Sequence, residues 1–339
     1  MQARLQLALY LPGWYSLWVD AVHTANTKKC EEEIMMLAKE FTFEVEGGLK
    51  IFVRKLLPEA GRHFKGIVLI AHGAAEHSAR YVRFGKVLNE NGFVVYAHDQ
   101  RGHGQTAANP AIIHINEGGF EGMVDDIDRL YKIAASEHPG LPIFLFAHSM
   151  GTIICRKYLQ KYSGRGLKGT ILCGAAHMPQ IKQICDFAKT IIEQHGRDYV
   201  DVNLQGANQS YNERFQPERT PFDWLSRDEA EVDKYIQDPL CGNPGTAGFL
   251  YEFAKGYDIF DEGKIKGIDK ELPILFITGD QDPSTLYGES AKLAKELYQK
   301  TGIKEVDLII YPGARHELLN EINRDEVTED IIDWINKHL

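Results

Sequence analysis

The stretch Pro142-Ile-Phe-Leu-Phe-Ala147-His148-Ser149-Met150-Gly151-Thr-Ile-Ile-Cys-Arg decides how the rest of the chain is read. It opens with an unbroken apolar run, as a strand buried on both faces requires. A helix-period pattern starts at Gly151. Between them lies a sharp turn holding Ser149, with small residues two positions before and two after it. Such a strained strand-to-helix turn tolerates only small neighbours and lifts the serine Oγ clear of the sheet, the small-x-Ser-x-small form of a nucleophile elbow. Ala147 stands where glycine is commoner. A serine ahead of a helix also serves as a plain N-cap, so the elbow needs partners before chemistry follows from it.

Working outward, Gly66-Ile-Val-Leu-Ile-Ala71, Phe93-Val-Val-Tyr-Ala97, Thr170-Ile-Leu-Cys173, Pro273-Ile-Leu-Phe-Ile277 and Val306-Asp-Leu-Ile-Ile310 are further short apolar runs. Helix-period segments lie near 79–91, 121–137, 151–162 and 287–300, with a last helix near 324–338. Phe41 to Val45 and Leu49 to Arg54 alternate around Gly47-Gly48 and read as a hairpin. Strands alternating with helices predict an α/β fold with a mostly parallel central sheet of about eight strands, flanked by helices. One stretch breaks the alternation. Residues 177–260 show amphipathic helical pieces and no buried strand, and a structureless loop of that length is improbable. They are expected to form an inserted helical subdomain, a lid (cap), within a main domain spanning 36–339.

Residues 1–35 differ from the rest. Leu5 to Val19 is apolar but broken by Pro12-Gly13. Three readings stay open: a weak export signal, an apolar flap, or upstream sequence from a mis-assigned start, the last favoured slightly because Met35 and Met36 directly precede the regular pattern. Nothing in the sequence gives 18 uninterrupted apolar residues. The five cysteines, Cys30, Cys155, Cys173, Cys185 and Cys241, show no CxxC pair and read as free thiols in a reducing compartment. A cytoplasmic location is expected.

The chain has 339 residues, with 38 Lys plus Arg against 48 Asp plus Glu, a formal net charge of −10. That balance argues against a nucleic-acid binder, whose affinity rests on basic residues at phosphates. Neutral or apolar small molecules fit better. Neither GxGxxG nor a P-loop occurs, so no cofactor is implied.

A serine at its free pKa is a weak nucleophile and needs a base held by a third group. The strand ending at Ile277 runs into Thr278-Gly279-Asp280-Gln281-Asp282-Pro283, and the next into Tyr311-Pro-Gly313-Ala-Arg315-His316-Glu317. Both turns fall at strand C-terminal ends, where ligands gather in open α/β sheets. Ser149, Asp282 and His316 therefore follow in the order Ser, acid, His. Asp280 competes with Asp282 for the acid role, and position in the turn favours Asp282. Acyl transfer also needs N–H donors at the developing oxyanion. The amide of Met150 supplies one, and the loop His72-Gly73-Ala74-Ala75-Glu76-His77-Ser78 the other, most plausibly at Ala74. A metal site of His72, Glu76 and His77 is the weaker reading of that loop, because the spacing is not HExxH. His98, His103 and His148 read as braces of the surrounding loops.

Together these motifs resemble the α/β-hydrolase superfamily, and within it the monoacylglycerol lipase and lysophospholipase branch that carries the serine aminopeptidase label. The carrying residues are His72-Gly73 through Glu76-His77-Ser78 and Arg80-Tyr81, Asp99 to Gly104, Ala147 to Gly151, Gly279 to Pro283 and Gly313 to Glu317. The resemblance runs from about Phe41 to Leu339, and in 177–260 only in kind. It implies Ser149 as nucleophile, His316 as base, Asp282 as acid, the amides of Ala74 and Met150 as oxyanion donors, and a lid over an acyl pocket. Departures are Ala147 for glycine, Ala75 for a frequent glycine, and Pro283-Ser284 where an apolar residue usually follows the acid.

The expected function is ester hydrolysis through an acyl-enzyme, on monoacylglycerol- or lysophospholipid-type lipids, with Phe215, Phe222, Trp224, Phe249 and Phe253 against the acyl chain and transient membrane contact through the lid. Each of those aromatics is equally well explained by packing of the lid on the body. A short-chain carboxylesterase is an alternative. An aminopeptidase or amidase is another, with Glu213, Glu218, Asp223, Asp228 or Glu229 holding an amino terminus. A non-catalytic binding protein is disfavoured because all three triad residues are present, and a haloalkane dehalogenase because it needs Asp at 149.

Overall fold

Why the apolar runs form one sheet follows from their side-chain alternation. In a computed structural model, which describes residues 38–116, 118–164, 166–176, 181–200 and 210–339, the strands are β1 (Lys39–Glu44), β2 (Lys50–Leu56), β3 (Gly66–Ala71), β4 (Phe93–His98), β5 (Ile143–His148), β6 (Leu167–Cys173), β7 (Ile274–Gly279) and β8 (Val306–Tyr311). They pair in the order β1-β2-β4-β3-β5-β6-β7-β8. Strands β3 to β8 are parallel, and β1 and β2 add antiparallel at one edge. The predicted hairpin is present, its turn made by Gly47 and Gly48 at φ 80° and 78°.

Ile67, Leu69 and Ala71 of β3 point into one core, and Val68 and Ile70 into the other. A period-2 strand buried on both faces must do this. The first core is closed by α2 (Gly119–Glu137), α3 (Met150–Tyr162) and α8 (Glu289–Lys300), and the second by α1 (Val82–Glu90) and α9 (Arg324–Lys337). Each fully buried side chain of this kind contributes about 1.5–3 kcal/mol.

The chain leaves the sheet after β6 and returns at β7. Its described part in between holds α4 (Ile181–His195), α5 (Glu229–Gln237), α6 (Ala247–Ala254), short 3-10 turns and the one-turn α7 (Glu262–Ile265), and no strand of the sheet. The Asp228 carboxylate caps α5 and the Thr246 hydroxyl caps α6, as short polar side chains do at helix starts. The insert has a small core of its own, Trp224, Leu225, Tyr235 and Cys241, and joins the first core of the body through Ile181, Cys185 and Ala254. The readings made for residues 1–35 lie outside the described residues. Cys155, Cys173, Cys185 and Cys241 are free and buried. Among the described residues no helix is long and apolar enough to cross a membrane.

Candidate active site

The elbow is built as the sequence requires. Ser149 directly follows β5 at φ 48°, ψ −117°, a positive-φ conformation that is strained for a residue with a Cβ, and α3 starts at Met150. The Ser149 amide donates to the carbonyl of Cys173 on β6 at 2.9 Å. Gly151 is small of necessity: a Cβ there would lie 2.3 Å from the carbonyl oxygen of Ala71 and 2.7 Å from that of His72. As the first residue of α3, Met150 has no intrahelical partner for its N–H.

His316 Nδ1 lies 2.9 Å from Asp282 Oδ2, and both side chains are buried. Burial alone would push the Asp282 carboxyl up. The charge and hydrogen bond of His316 and the two donors of Ser284 outweigh it and hold Asp282 below its usual value. Asp280 does something else. Its Oδ1 accepts the Gly313 amide at 2.7 Å, bracing the turn after β8. The structure thus puts Asp282, and not Asp280, on the histidine.

The loop after β3 runs beside the serine. A Cβ on Gly73 would lie 3.1 Å from Ser149 Cβ, and Ala74 and Ala75 follow at the cavity wall. Ala75 sits at φ 56°, the left-handed region that explains why glycine serves well there. The loop is pinned from behind by Glu76, whose carboxylate accepts the Gly73 amide at 2.6 Å, the Tyr81 hydroxyl at 2.9 Å and Arg80 at 2.9 Å, and lies 2.9 Å from His148 Nδ1. Burial works against that carboxylate, but His148 and Arg80 hold it well below its ordinary value. Burial also opposes charge on His148, and Glu76 outweighs it, so His148 is raised. Arg80 continues the network with a bidentate pair to Glu317, both bonds 2.6 Å.

These contacts exclude His72, Glu76 and His77 as a metal set. His72 Nε2 accepts the Gln100 amide, and its Nδ1 faces the Gly73 carbonyl. His77 instead turns to the insert, 2.9 Å from Asp238 with Cys241 close by. Burial pushes that thiol up despite the charge of nearby Arg80, so a hydrogen-bonded latch between loop and insert accounts for the corner. The braces expected of His98 and His103 are buried and neutral: desolvation pushes each down to about 3.

A cavity of about 770 Å³ opens over Ser149 and His316. Phe222, Trp224, Phe249 and Phe253 line it. Phe215 does not; it lies under the Arg315 guanidinium, 4.1 Å from its ring centre. Trp224 packs on the His316 ring at 4.9 Å between centroids, and the insert accepts the amides of His316 and Glu317 on the carbonyls of Trp224 and Leu225. Of the carboxylates that could hold an amino terminus, Glu218 reaches the cavity. Asp223 is bound to Thr220 and the Arg219 amide, Asp228 caps α5 and pairs with Arg324, and Glu229 leans to Arg219.

Sequence reading missed three contributors: the Glu76–Arg80–Glu317 network, Arg315, and Ser284. The pairing of Arg80 with Glu317 joins positions 237 residues apart, which no local pattern reveals.

Sheet order, the strand-to-helix elbow at Ser149 and a histidine–aspartate pair on adjacent strand ends define the α/β-hydrolase fold. Residues 62–323 match the model of the family described as serine aminopeptidase, S33, and the chain belongs to that family. A monoacylglycerol lipase of Mycolicibacterium smegmatis is 27% identical over 300 residues, covering 88% of this chain and 98% of the relative. The human monoglyceride lipase is 26% identical, covering 80% of this chain and 81% of its own. Among solved structures, a highly thermostable carboxyl esterase from Bacillus coagulans in complex with glycerol superposes with TM-score 0.81 at 34% identity, over 89% of this chain and 98% of that one.

Proposed function

We propose that this chain is a serine ester hydrolase acting on monoacylglycerol-like lipids, with residues 177–260 as its lid. The observation that carries the reading is the buried His316–Asp282 pair opening, with Ser149, onto a large cavity walled by aromatic rings. His316 takes the proton of Ser149 as Oγ attacks the ester carbonyl. The oxyanion rests on the amides of Ala74 and Met150, and Asp282 orients His316 and stabilises its charged form. His316 then protonates the departing alcohol, and water frees the acyl group by the same route. A cavity of this size suits one acyl chain with a small polar head, and the lipase relatives are named for such substrates. Phe187 on α4 and Ile236 on α5 are exposed, which supports brief contact of the insert with a lipid surface.

The amidase reading keeps one specific foothold, Glu218 at the cavity wall. The deciding experiment offers purified protein a monoacylglycerol series from short to long chain, p-nitrophenyl esters and an aminoacyl amide, with Ser149→Ala as control. Turnover of long-chain monoacylglycerols that vanishes in Ser149→Ala is expected. Preferential cleavage of the amide, or undiminished esterase activity in Ser149→Ala, would overturn the proposal.

A further inference from the structure

The turn after β7 holds a hydroxyl for which the serine–histidine–aspartate scheme has no use. Ser284 Oγ lies 2.8 Å from Asp282 Oδ1 and 2.9 Å from His316 Nδ1. A serine hydroxyl has one proton and two lone pairs. Toward an ionised carboxylate it can only donate, so its proton goes to Asp282. Its oxygen is then free to accept, and the ring nitrogen beside it must be the N–H. The Nδ1 proton of His316 is therefore shared between Asp282 Oδ2 and Ser284 Oγ. That fixes the tautomer whose Nε2 is unprotonated, the form a general base needs.

The turn is shaped to hold this hydroxyl. Asp282 caps the 3-10 turn Pro283–Thr285, taking the Ser284 amide on the same Oδ1 at 2.9 Å. The Thr285 hydroxyl donates back to the Asp282 carbonyl at 3.1 Å and meets that of Thr278 at 3.0 Å. Leu286 and Tyr287 follow in left-handed conformation, at φ 53° and 59°. The Tyr287 amide closes onto the Asp282 carbonyl at 2.8 Å, and the Arg214 guanidinium of the insert lies 3.3 Å from the Tyr287 ring centre. Two consecutive non-glycine residues in that region persist only where surrounding contacts over-determine them.

We infer that Ser284 is a positioning residue: its hydroxyl locks the orientation and tautomer of His316 by bridging His316 and Asp282. The inference rests on the role proposed above for Ser149, Asp282 and His316. Loss of the bridge would leave the Nδ1 proton one acceptor and Asp282 one side-chain donor fewer. A hydrogen bond to charged partners corresponds to about tenfold in rate when it is expressed in the transition state.

The test is an isosteric pair, Ser284→Thr and Ser284→Val, which differ by hydroxyl against methyl, with Ser284→Ala as the smaller apolar variant. Measured for each are kcat and KM on a p-nitrophenyl ester, the rate of fluorophosphonate labelling, and the melting temperature. Val and Ala are expected to lose about tenfold in kcat and in labelling rate with KM within twofold, and Thr to keep most of both. Wild-type rates in Val and Ala would overturn the inference. So would equal losses in Thr and Val, or losses that follow the melting temperature, since those report space and stability. Failure of the underlying reading looks different: the wild-type protein itself would neither hydrolyse the ester nor take the label.

Discussion

Gly151→Ala asks for one methyl group at the point where helix α3 meets strand β3. That Cβ would stand 2.3 Å from the Ala71 oxygen and 2.7 Å from the His72 oxygen. Real Cβ contacts do not fall below 3.0 Å, so the first carbonyl must withdraw by at least about 0.7 Å. Both carbonyls are backbone and belong to the end of a central strand, so neither swings aside alone. Overpacking of a core costs about 1–3 kcal/mol, occasionally more. With two backbone atoms affected, the upper end, about 3 kcal/mol, is expected, and at about 2–4 °C per kcal/mol the melting temperature falls by about 6–12 °C. The larger effect is on rate. Gly73 and Ala74 follow the displaced carbonyls, so the loop moves relative to Ser149. A misplacement near 1 Å costs about 10²-fold. Ester kinetics and fluorophosphonate labelling should therefore show kcat reduced about 30- to 100-fold, with KM little changed. Ala147→Gly is the control: it removes a methyl on the other side of the serine, costs about 1 kcal/mol of chain entropy, and should retain kcat. A Gly151→Ala protein that melts within 2 °C of wild type and keeps more than half its kcat would refute the close-approach argument.

Asp282→Asn should lower kcat by about 10⁴-fold, as loss of a triad acid does in serine proteases, whereas Asp280→Asn, whose amide oxygen can still accept the Gly313 amide, should stay within about fivefold; paired ester assays decide. Arg80→Met leaves Glu76 and Glu317 buried without their cation and should cost about 3–5 kcal/mol in urea unfolding; an unchanged midpoint would contradict the burial of that pair. Desolvation holds His98 and His103 near 3, from an ordinary 6.5. Their folded values are depressed, so stability is full above about pH 6.5 and is lost as pH falls, by about 2 kcal/mol each at pH 5. His148 has the opposite sign, its stabilisation being present below 6.5 and fading as pH rises through its raised folded value. His72 and His138, also lowered by burial, act in the same sense as His98 and His103, so four groups against one predict a lower urea midpoint at pH 5 than at pH 7.5, and a flat profile would count against it.

The elements legible in the sequence are those whose cause is local. Six apolar runs and one hairpin correspond to strands close to their observed limits, because a strand buried on both faces must be almost wholly apolar. The elbow was legible because backbone strain restricts residue types on both sides of Ser149. Asp282 was separable from Asp280 by turn position, and the reason appears in space: one carboxylate faces His316, the other the Gly313 amide. Phe215 shows the limit. An aromatic in an amphipathic segment looks the same whether it walls a cavity or lies under a guanidinium, and only the fold puts Arg315 above it. The role inferred for Ser284 was illegible for a related reason. Replacing the usual apolar residue by serine registers as a departure, but its two partners are visible only when β7 and β8 lie side by side.

The network behind the site explains how parts from distant strands keep their spacing. Glu76 belongs to the loop carrying Ala74, and Glu317 directly follows His316. One guanidinium, that of Arg80, bonds both carboxylates. A buried ion network of this kind adds little net stability over a well-packed apolar cluster, because desolvation consumes most of the Coulombic gain. Its particular contribution is directional: bidentate guanidinium–carboxylate bonds fix angle as well as distance, which apolar packing does not. The same Glu76 lies beside His148, whose ring is 4.8 Å from that of His316. Arg80 thus ties the loop proposed to hold the oxyanion to the turn proposed to hold the base, through two carboxylates that both border the cavity. On this account the rate loss in Arg80→Met should exceed what its lost stability explains, because the folded protein that remains would hold Ala74 and His316 less firmly in register.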